Sequence, residues 1–139
     1  MKTQGKNIVL DLSIDLSLDV ISFCEELKRM KHYELASQIF RSGTSIGANI
    51  HEAQNAESLA DFIHKFKVAA KEASELRYWL LLCEKSEHLK SFEFIDKLDQ
   101  IGKIMTKIIT SSKKRTDSSN NINTVKEELA FYAISESAN

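Results

Sequence analysis

Residues 41–53 read RSGTSIGANIHEA, and the two glycines of this stretch fit two very different folds. Gly43, Ser45 and Gly47 have the G-x-S-x-G spacing of a nucleophile elbow, which needs a strand that turns sharply into a helix above a parallel sheet. The same glycines also form a G-x-x-x-G pair, whose missing side chains let two helices pack closely. The sequence around the stretch decides between the two.

The residues before Gly43 favour the helix. The segment ELASQIFRS (34–42) has helical rather than strand periodicity, and the rest of the chain offers no sheet to carry an elbow. The four histidines cannot be assigned to a catalytic triad from their spacing. We therefore predict that the stretch packs closely against another helix through its small residues: Ser42, Gly43, Ser45, Gly47 and Ala48.

Composition indicates one folded domain without a strong excess of positive or negative charge. The 139 residues are 42% hydrophobic and 28% charged, and the net charge is −1, whereas a non-specific nucleic-acid binder is normally basic. No apolar run approaches the ~18 residues that cross a bilayer, and residues 1–12 lack the apolar core of a signal peptide, so we expect a cytoplasmic protein without a membrane partner. Cys24 and Cys83 lack metal-type spacing and are expected to be reduced core thiols.

Four helical segments follow from the apolar spacing and from the absence of proline. Residues 10–20 alternate apolar and polar side chains like a strand, but a lone strand would leave its backbone unpaired. We therefore predict a first helix from about Ser13 to Met30, after a short extended lead-in. The second helix should start near Tyr33. The third should run over about 59–87, capped by Ser58 with Asp61.

A fourth helix, capped by Ser91, should bury one stripe of apolar residues: Phe92, Ile95, Leu98, Ile101, Met105 and Ile108. Four long helices joined by short breaks predict an all-α, antiparallel, up-down-up-down four-helix bundle over residues 1–112. The composition turns polar after Ile109, so residues 113–139 are predicted to be a polar linker and tail. A short fifth helix over Val125–Ile134 would place Val125, Leu129 and Tyr132 on one side.

The sequence contains only weak evidence for catalytic residues or for a metal site. Helical bundles that hold two metal ions use two Glu-x-x-His pairs, and here Asp61-x-x-His64 is the single acid-x-x-His pair. Glu72 and Glu75 could serve acid–base chemistry, but an ion network with Arg41 or Lys71 is favoured. We predict no enzyme, no cofactor, no metal and no small-molecule substrate.

The segment 100–116 contains five cations and no acidic residue. One interpretation is an ordinary solvated helix end, where cations suit the helix dipole. The other is an RNA-binding patch in which these side chains join cations of the third helix. The residues of that candidate patch are Lys65, Lys67, Lys103, Lys107, Lys113, Lys114 and Arg115.

Together, RSGTSIGANIHEA (41–53) and DFIHKFKVAAKEASELRYWLLL (61–82) resemble the 23S rRNA intervening-sequence protein family, over about residues 7–112. The polar positions of the family pattern fall on Arg41, Thr44, Asn49, Glu52, Lys71, Glu72, Glu75 and Trp79. The resemblance implies a small bacterial up-down bundle that assembles into ring-like homopentamers. Some relatives are encoded within insertions of large-subunit rRNA genes, and others are similar to a retroelement accessory protein that binds nucleic acid and a reverse transcriptase.

These observations and the resemblance lead to one functional prediction. We expect a non-enzymatic, oligomeric helical-bundle interaction or scaffold protein, a homopentamer with an RNA or ribonucleoprotein partner. The alternative is an RNA-binding protein that uses the basic patch near the end of the fourth helix and on the third.

Overall fold

The computed structural model describes residues 7–86 and 94–116, and within these ranges it consists of helices without a strand. Each helix packs against the next one in the chain, and the last also packs against the first, which closes an antiparallel bundle. The predicted all-α four-helix bundle is confirmed. The helices are α1 (Ile8–Arg29), α2 (Tyr33–Ala53), α3 (Leu59–Lys85) and α4 (Ile95–Arg115).

Helix α1 begins at Ile8, five residues before the predicted start, and the expected extended lead-in is wrong for the described residues. Asn7 caps it, because its side-chain oxygen accepts a hydrogen bond from the Leu10 amide at 3.2 Å. The Asn7 side-chain amide also donates to Gln54 at the end of α2, at 2.9 Å. The alternating segment is thus helical, and its apolar residues point to two sides: Leu16 is buried, whereas Leu18 is exposed.

The turn between α1 and α2 is tight and fixes their antiparallel packing. Lys31 adopts a left-handed conformation with φ of 65°. The His32 amide donates to the Leu27 carbonyl at 2.8 Å, and the Lys31 amide to the Lys28 carbonyl at 3.0 Å. This is the Schellman arrangement that commonly ends a helix, here with lysine at the position that usually holds glycine.

Helix α3 follows its prediction closely. The Asp61 amide donates to Ser58 Oγ at 3.0 Å, and Asp61 Oδ2 accepts from the Glu57 amide at 3.2 Å, one residue earlier than an ideal capping box requires. The helix buries one continuous stripe of side chains: Leu59, Phe62, Phe66, Ala69, Ala73, Leu76, Leu80 and Cys83.

Helix α4 buries four of the predicted positions, Leu98, Ile101, Met105 and Ile108, and half-buries Ile95. It continues to Arg115, beyond Ile109 where the composition changes. The predicted cap Ser91, the stripe residue Phe92, and residues 117–139 with the predicted fifth helix lie outside the described residues.

The two cysteines lie in the core and are free thiols. Cys24 Sγ donates to the Ala36 carbonyl of α2 at 3.3 Å. Burial raises the pKa of Cys24 and of Cys83 to about 11 each. Both thiols are therefore neutral at physiological pH and pack as small apolar side chains.

Candidate functional site

The stretch 41–53 lies within α2, and its glycines contact α1. A Cβ placed on Gly43 would lie 2.7 and 2.8 Å from the two Cγ atoms of Val20. A Cβ on Gly47 would lie 3.1 Å from Ser17 Oγ and 3.3 Å from the Ser13 carbonyl oxygen. A Cβ at Gly43 would therefore force Val20 or a helix to move, whereas a Cβ at Gly47 would need only a small shift of its neighbours.

Two of the residues predicted to pack closely do so less than expected. Ala48 is exposed in the single chain, so it makes no close contact within the described bundle, and its assignment to close helix packing stays a prediction. Ser45 is half-buried, and its hydroxyl donates to the Arg41 carbonyl within α2 at 2.6 Å. Ser45 therefore lies well inside a helix and not at a strand-to-helix turn.

The α1 half of this contact was not identified from the sequence. Ser13 is fully buried, and its hydroxyl donates to the Leu10 carbonyl at 2.7 Å; Ser17 donates to the Ser13 carbonyl at 2.8 Å. Because both hydroxyls are satisfied within their own helix, they present small surfaces to Gly47. The i, i+4 spacing of the two serines is the signal that could have indicated their role.

A row of large apolar side chains is exposed next to this contact. On α1, Ile14, Leu18 and Ile21 have the i, i+4, i+7 spacing of one helix side, distinct from the buried side. Helix α2 adds Phe40, one turn before Gly43, and Tyr33. These five residues, which we call the α1–α2 apolar face, are between 37% and 60% exposed. Large apolar side chains exposed in this number on two neighbouring helices make this face a candidate interaction surface.

A polar cluster joins α2 to α3 at family-pattern positions. Arg41 forms ion pairs with Glu72, at 3.3 Å, and with Glu75. The Trp79 indole N–H donates to Glu75 at 3.2 Å. The hydrogen bonds from Arg41 and then Trp79 lower the pKa of Glu75, and the hydrogen bond with Glu75 raises the pKa of Arg41. Glu75 is thus held ionised. We call Arg41, Glu72, Glu75 and Trp79 the α2–α3 clasp, because this cluster suits a link between the two helices better than proton transfer.

The remaining family-pattern polar residues also act within or between α2 and α3. Glu52 pairs with Lys65 of α3 at 2.7 Å. Asn49 donates to the Ser45 carbonyl at 2.8 Å, and the Thr44 hydroxyl donates to the Phe40 carbonyl at 2.7 Å. Lys71 is exposed on α3.

The residues of the candidate basic patch lie on different sides of the bundle. Lys65 faces α2, where Glu52 partly neutralises it. Lys103 and Lys107 instead line an open cleft of about 800 Å³ between α3 and α4. Lys113, Lys114 and Arg115 form the last turn of α4, and Lys67 is exposed on α3. The structure does not bring these seven cations into one patch.

A family model described as 23S rRNA-intervening sequence protein matches residues 5–110. The chain belongs to this family. The resemblance of the two motif blocks to the 23S rRNA intervening-sequence proteins is therefore confirmed.

A crystal structure of a protein of unknown function from the S23 ribosomal protein family of Bacteroides thetaiotaomicron is similar to this chain. The two share 38% sequence identity and a TM-score of 0.71, over 75% of this chain and 96% of that chain. No curated protein matches the chain significantly. A quarter of this chain thus lies outside the structural match, and residues 111–139 lie outside the family match.

Residues 7–86 and 94–116 contain no group of three or more His, Cys, Asp or Glu side chains that could hold a metal ion. None of the four described helices is long and apolar enough to cross a membrane.

The Arg41 cluster predicts a pH effect on Trp79, the single tryptophan of the chain. Because the folded-state pKa of Glu75 is lowered, the clasp is complete above pH 4.5, the ordinary value, and is lost as the pH falls through the lowered pKa. We expect the acid-induced change in Trp79 fluorescence to have a midpoint below 4.5 in the wild type. In Arg41→Ala, the midpoint should move upward.

Lys71→Ala is the control for this titration, since it removes a nearby exposed cation of α3 for which the structure shows no ion pair with Glu75. Its midpoint should equal that of the wild type. Equal midpoints in Arg41→Ala and the wild type would contradict the clasp.

Proposed function

We propose that this protein is a non-enzymatic scaffold whose bundles assemble into a homopentameric ring that binds an RNA or ribonucleoprotein partner. The α1–α2 apolar face is the observation that supports the proposal. Its side chains are too exposed to contribute fully to the monomer core, and burial would recover their hydrophobic free energy, roughly 25 cal/mol per Å² of apolar surface. Assembly of subunits is the simplest way to bury such a face.

A ring also needs a second, different surface, because each subunit contacts two neighbours through unlike patches. Helix α3 supplies a candidate at its C-terminal end, where Tyr78, Leu81 and Leu82 are between 41% and 53% exposed. We call these three residues the α3 apolar end. Two unlike apolar surfaces favour a closed ring over a two-fold dimer, in which one patch meets itself. The number five comes from the family resemblance.

The clasp between α2 and α3 supports a non-enzymatic role. Arg41, Glu72 and Glu75 satisfy one another at the surface, and the lowered pKa of Glu75 leaves it without a proton to donate near neutral pH and makes it a weaker base.

Light scattering tests the assembly directly. The full chain of 15.8 kDa should give a mass of about 79 kDa, five times the subunit mass, independent of concentration in the micromolar range. A mass of one subunit at all concentrations would contradict the ring.

RNA binding through the end of α4 is the second candidate function. The last turn of α4 carries Lys113, Lys114 and Arg115 beyond the final buried turn, and helix C-termini attract rather than repel such cations. Because Lys65 is paired with Glu52, we restrict the candidate surface to α4.

Charge reversal tests this candidate. Changing Lys113, Lys114 and Arg115 to Glu should reduce the slope of log affinity for structured RNA against log salt by about 2–3, one counterion per lost phosphate contact. The matched control reverses three charges at the opposite end of the bundle by changing Lys28, Arg29 and Lys31 to Glu. An unchanged slope in the first variant rules out the end of α4 as an RNA site.

A further inference from the structure

The cleft between α3 and α4 has the form of a groove for a short helix. Its floor is low because small residues line it: Ala70 and Ala73 of α3, and Gly102 of α4. A Cβ placed on Gly102 would meet no heavy atom within 4 Å. Leu98 and Met105 lie beneath this floor and are almost fully buried, so the accessible apolar surface comes mainly from the small residues. Helix α4 also packs less extensively against α3 than α2 does.

We propose that residues 125–134 of the same chain occupy this cleft as a short helix. The apolar side chains of this segment, Val125, Leu129 and Tyr132, have the i, i+4, i+7 spacing that places them on one helix side. A helix of ten residues is marginal in water without a partner surface. The cleft provides that surface, and the proposal does not depend on the number of subunits.

The length of chain after α4 permits this docking. Gly102 lies thirteen residues before Arg115, which is about 20 Å along the helix axis. Residues 117–124 can span up to roughly 26–29 Å when extended, so they can turn back and reach the cleft. The docked helix would be about 15 Å long, and the part of α4 from Asp99 to Lys107 that lines the cleft extends about 12 Å.

The charges of the segment and the cleft are complementary. Residues 117–139 contain four acidic side chains and one basic one. The cleft is lined by Arg77, Lys103 and Lys107 with a single acid, Asp99, which forms an ion pair with Arg77. In the proposed helix, Glu128 would lie beside the apolar stripe of the segment, next to the rim of the groove. A segment without this excess of acidic residues would be less complementary to the basic side chains that line the cleft.

Trypsin provides the test, since Lys126 is the single lysine or arginine after Arg115. Release of residues 127–139 from the full chain is followed by intact mass spectrometry. When opening is fast, proteolysis tracks the population of the undocked segment, so cleavage after Lys126 should be about tenfold slower in the wild type than in Leu129→Ser/Tyr132→Ser. That variant leaves the bundle residues unchanged.

A second pair of variants tests whether the segment binds in this cleft. Gly102→Phe fills the open space and should accelerate cleavage as much as the tail variant does. Thr110→Phe, at an exposed α4 position that does not line the cleft, should cleave like the wild type. Equal rates in the wild type and the tail variant would overturn the docking. A fast tail variant with a slow Gly102→Phe would overturn the assignment to this cleft.

Discussion

The Gly43→Leu variant is expected to lose about 3 kcal/mol of folding free energy, the upper end of the usual effect of overpacking a core. Even the first added carbon would lie 2.7 Å from Val20, a fully buried residue whose β-branched side chain has few alternative rotamers. Helices α1 and α2 would have to separate, and the buried side chains on both would lose contacts. Gly47→Leu should be less severe, because its nearest neighbours lie at 3.1–3.4 Å.

Urea unfolding followed by circular dichroism measures this loss. Ala48→Leu is the matched control, since it adds a similar side chain to an exposed position of the same helix and should change the free energy of unfolding by less than about 0.5 kcal/mol. Val20→Ala in the Gly43→Ala background should recover stability relative to Gly43→Ala alone, because the two positions are in contact. An unchanged urea midpoint for Gly43→Leu would contradict the close approach of α1 and α2.

Helix α3 could be predicted almost completely from the sequence, and α1 could not. In α3, the cap at Ser58 and the uninterrupted apolar stripe from Leu59 to Cys83 both predict the same helix. In α1, the cap at Asn7 is local, but the same side chain also donates to Gln54, which is far away in the chain. The alternation of residues 10–20 has a strand period because one helix carries apolar residues on two sides, of which one is buried and one exposed.

The end of α4 shows why a change in composition does not end a helix. The Thr106 hydroxyl donates to the Gly102 carbonyl at 3.0 Å, and the Thr110 hydroxyl donates to the Thr106 carbonyl at 2.9 Å. These hydroxyls are satisfied within the helix. Ser112, beyond the change in composition, is fully buried, and the helix continues to Arg115. The small residues of α2 were readable from the sequence. Ser13 and Ser17 of α1 have the same i, i+4 spacing, but spacing alone does not say that they face α2.

The Leu18→Glu/Phe40→Glu variant is expected to reduce the solution mass from about 79 kDa to the subunit mass of 15.8 kDa while remaining helical. Both residues are largely exposed in a single chain, so the new carboxylates stay solvated there. In an assembly they would be buried without a partner charge, at a desolvation cost of several kcal/mol per ion. Light scattering and circular dichroism measure the two outcomes.

Gln38→Glu/Thr110→Glu is the control, because it adds the same charge at exposed positions outside the α1–α2 apolar face and the α3 apolar end. Its mass should equal that of the wild type. If Leu18→Glu/Phe40→Glu keeps the wild-type mass, the α1–α2 apolar face is not a subunit interface.

Mixing two defective variants distinguishes a ring from a two-fold dimer. Leu18→Glu/Phe40→Glu retains the α3 apolar end, and Tyr78→Glu/Leu82→Glu retains the α1–α2 apolar face. If these unlike surfaces bind each other, each variant alone is monomeric, but the mixture forms one intact interface and stops at two subunits, about 32 kDa. If the α1–α2 apolar face instead binds a second copy of itself, Tyr78→Glu/Leu82→Glu is a dimer without any mixing, and the ring is wrong.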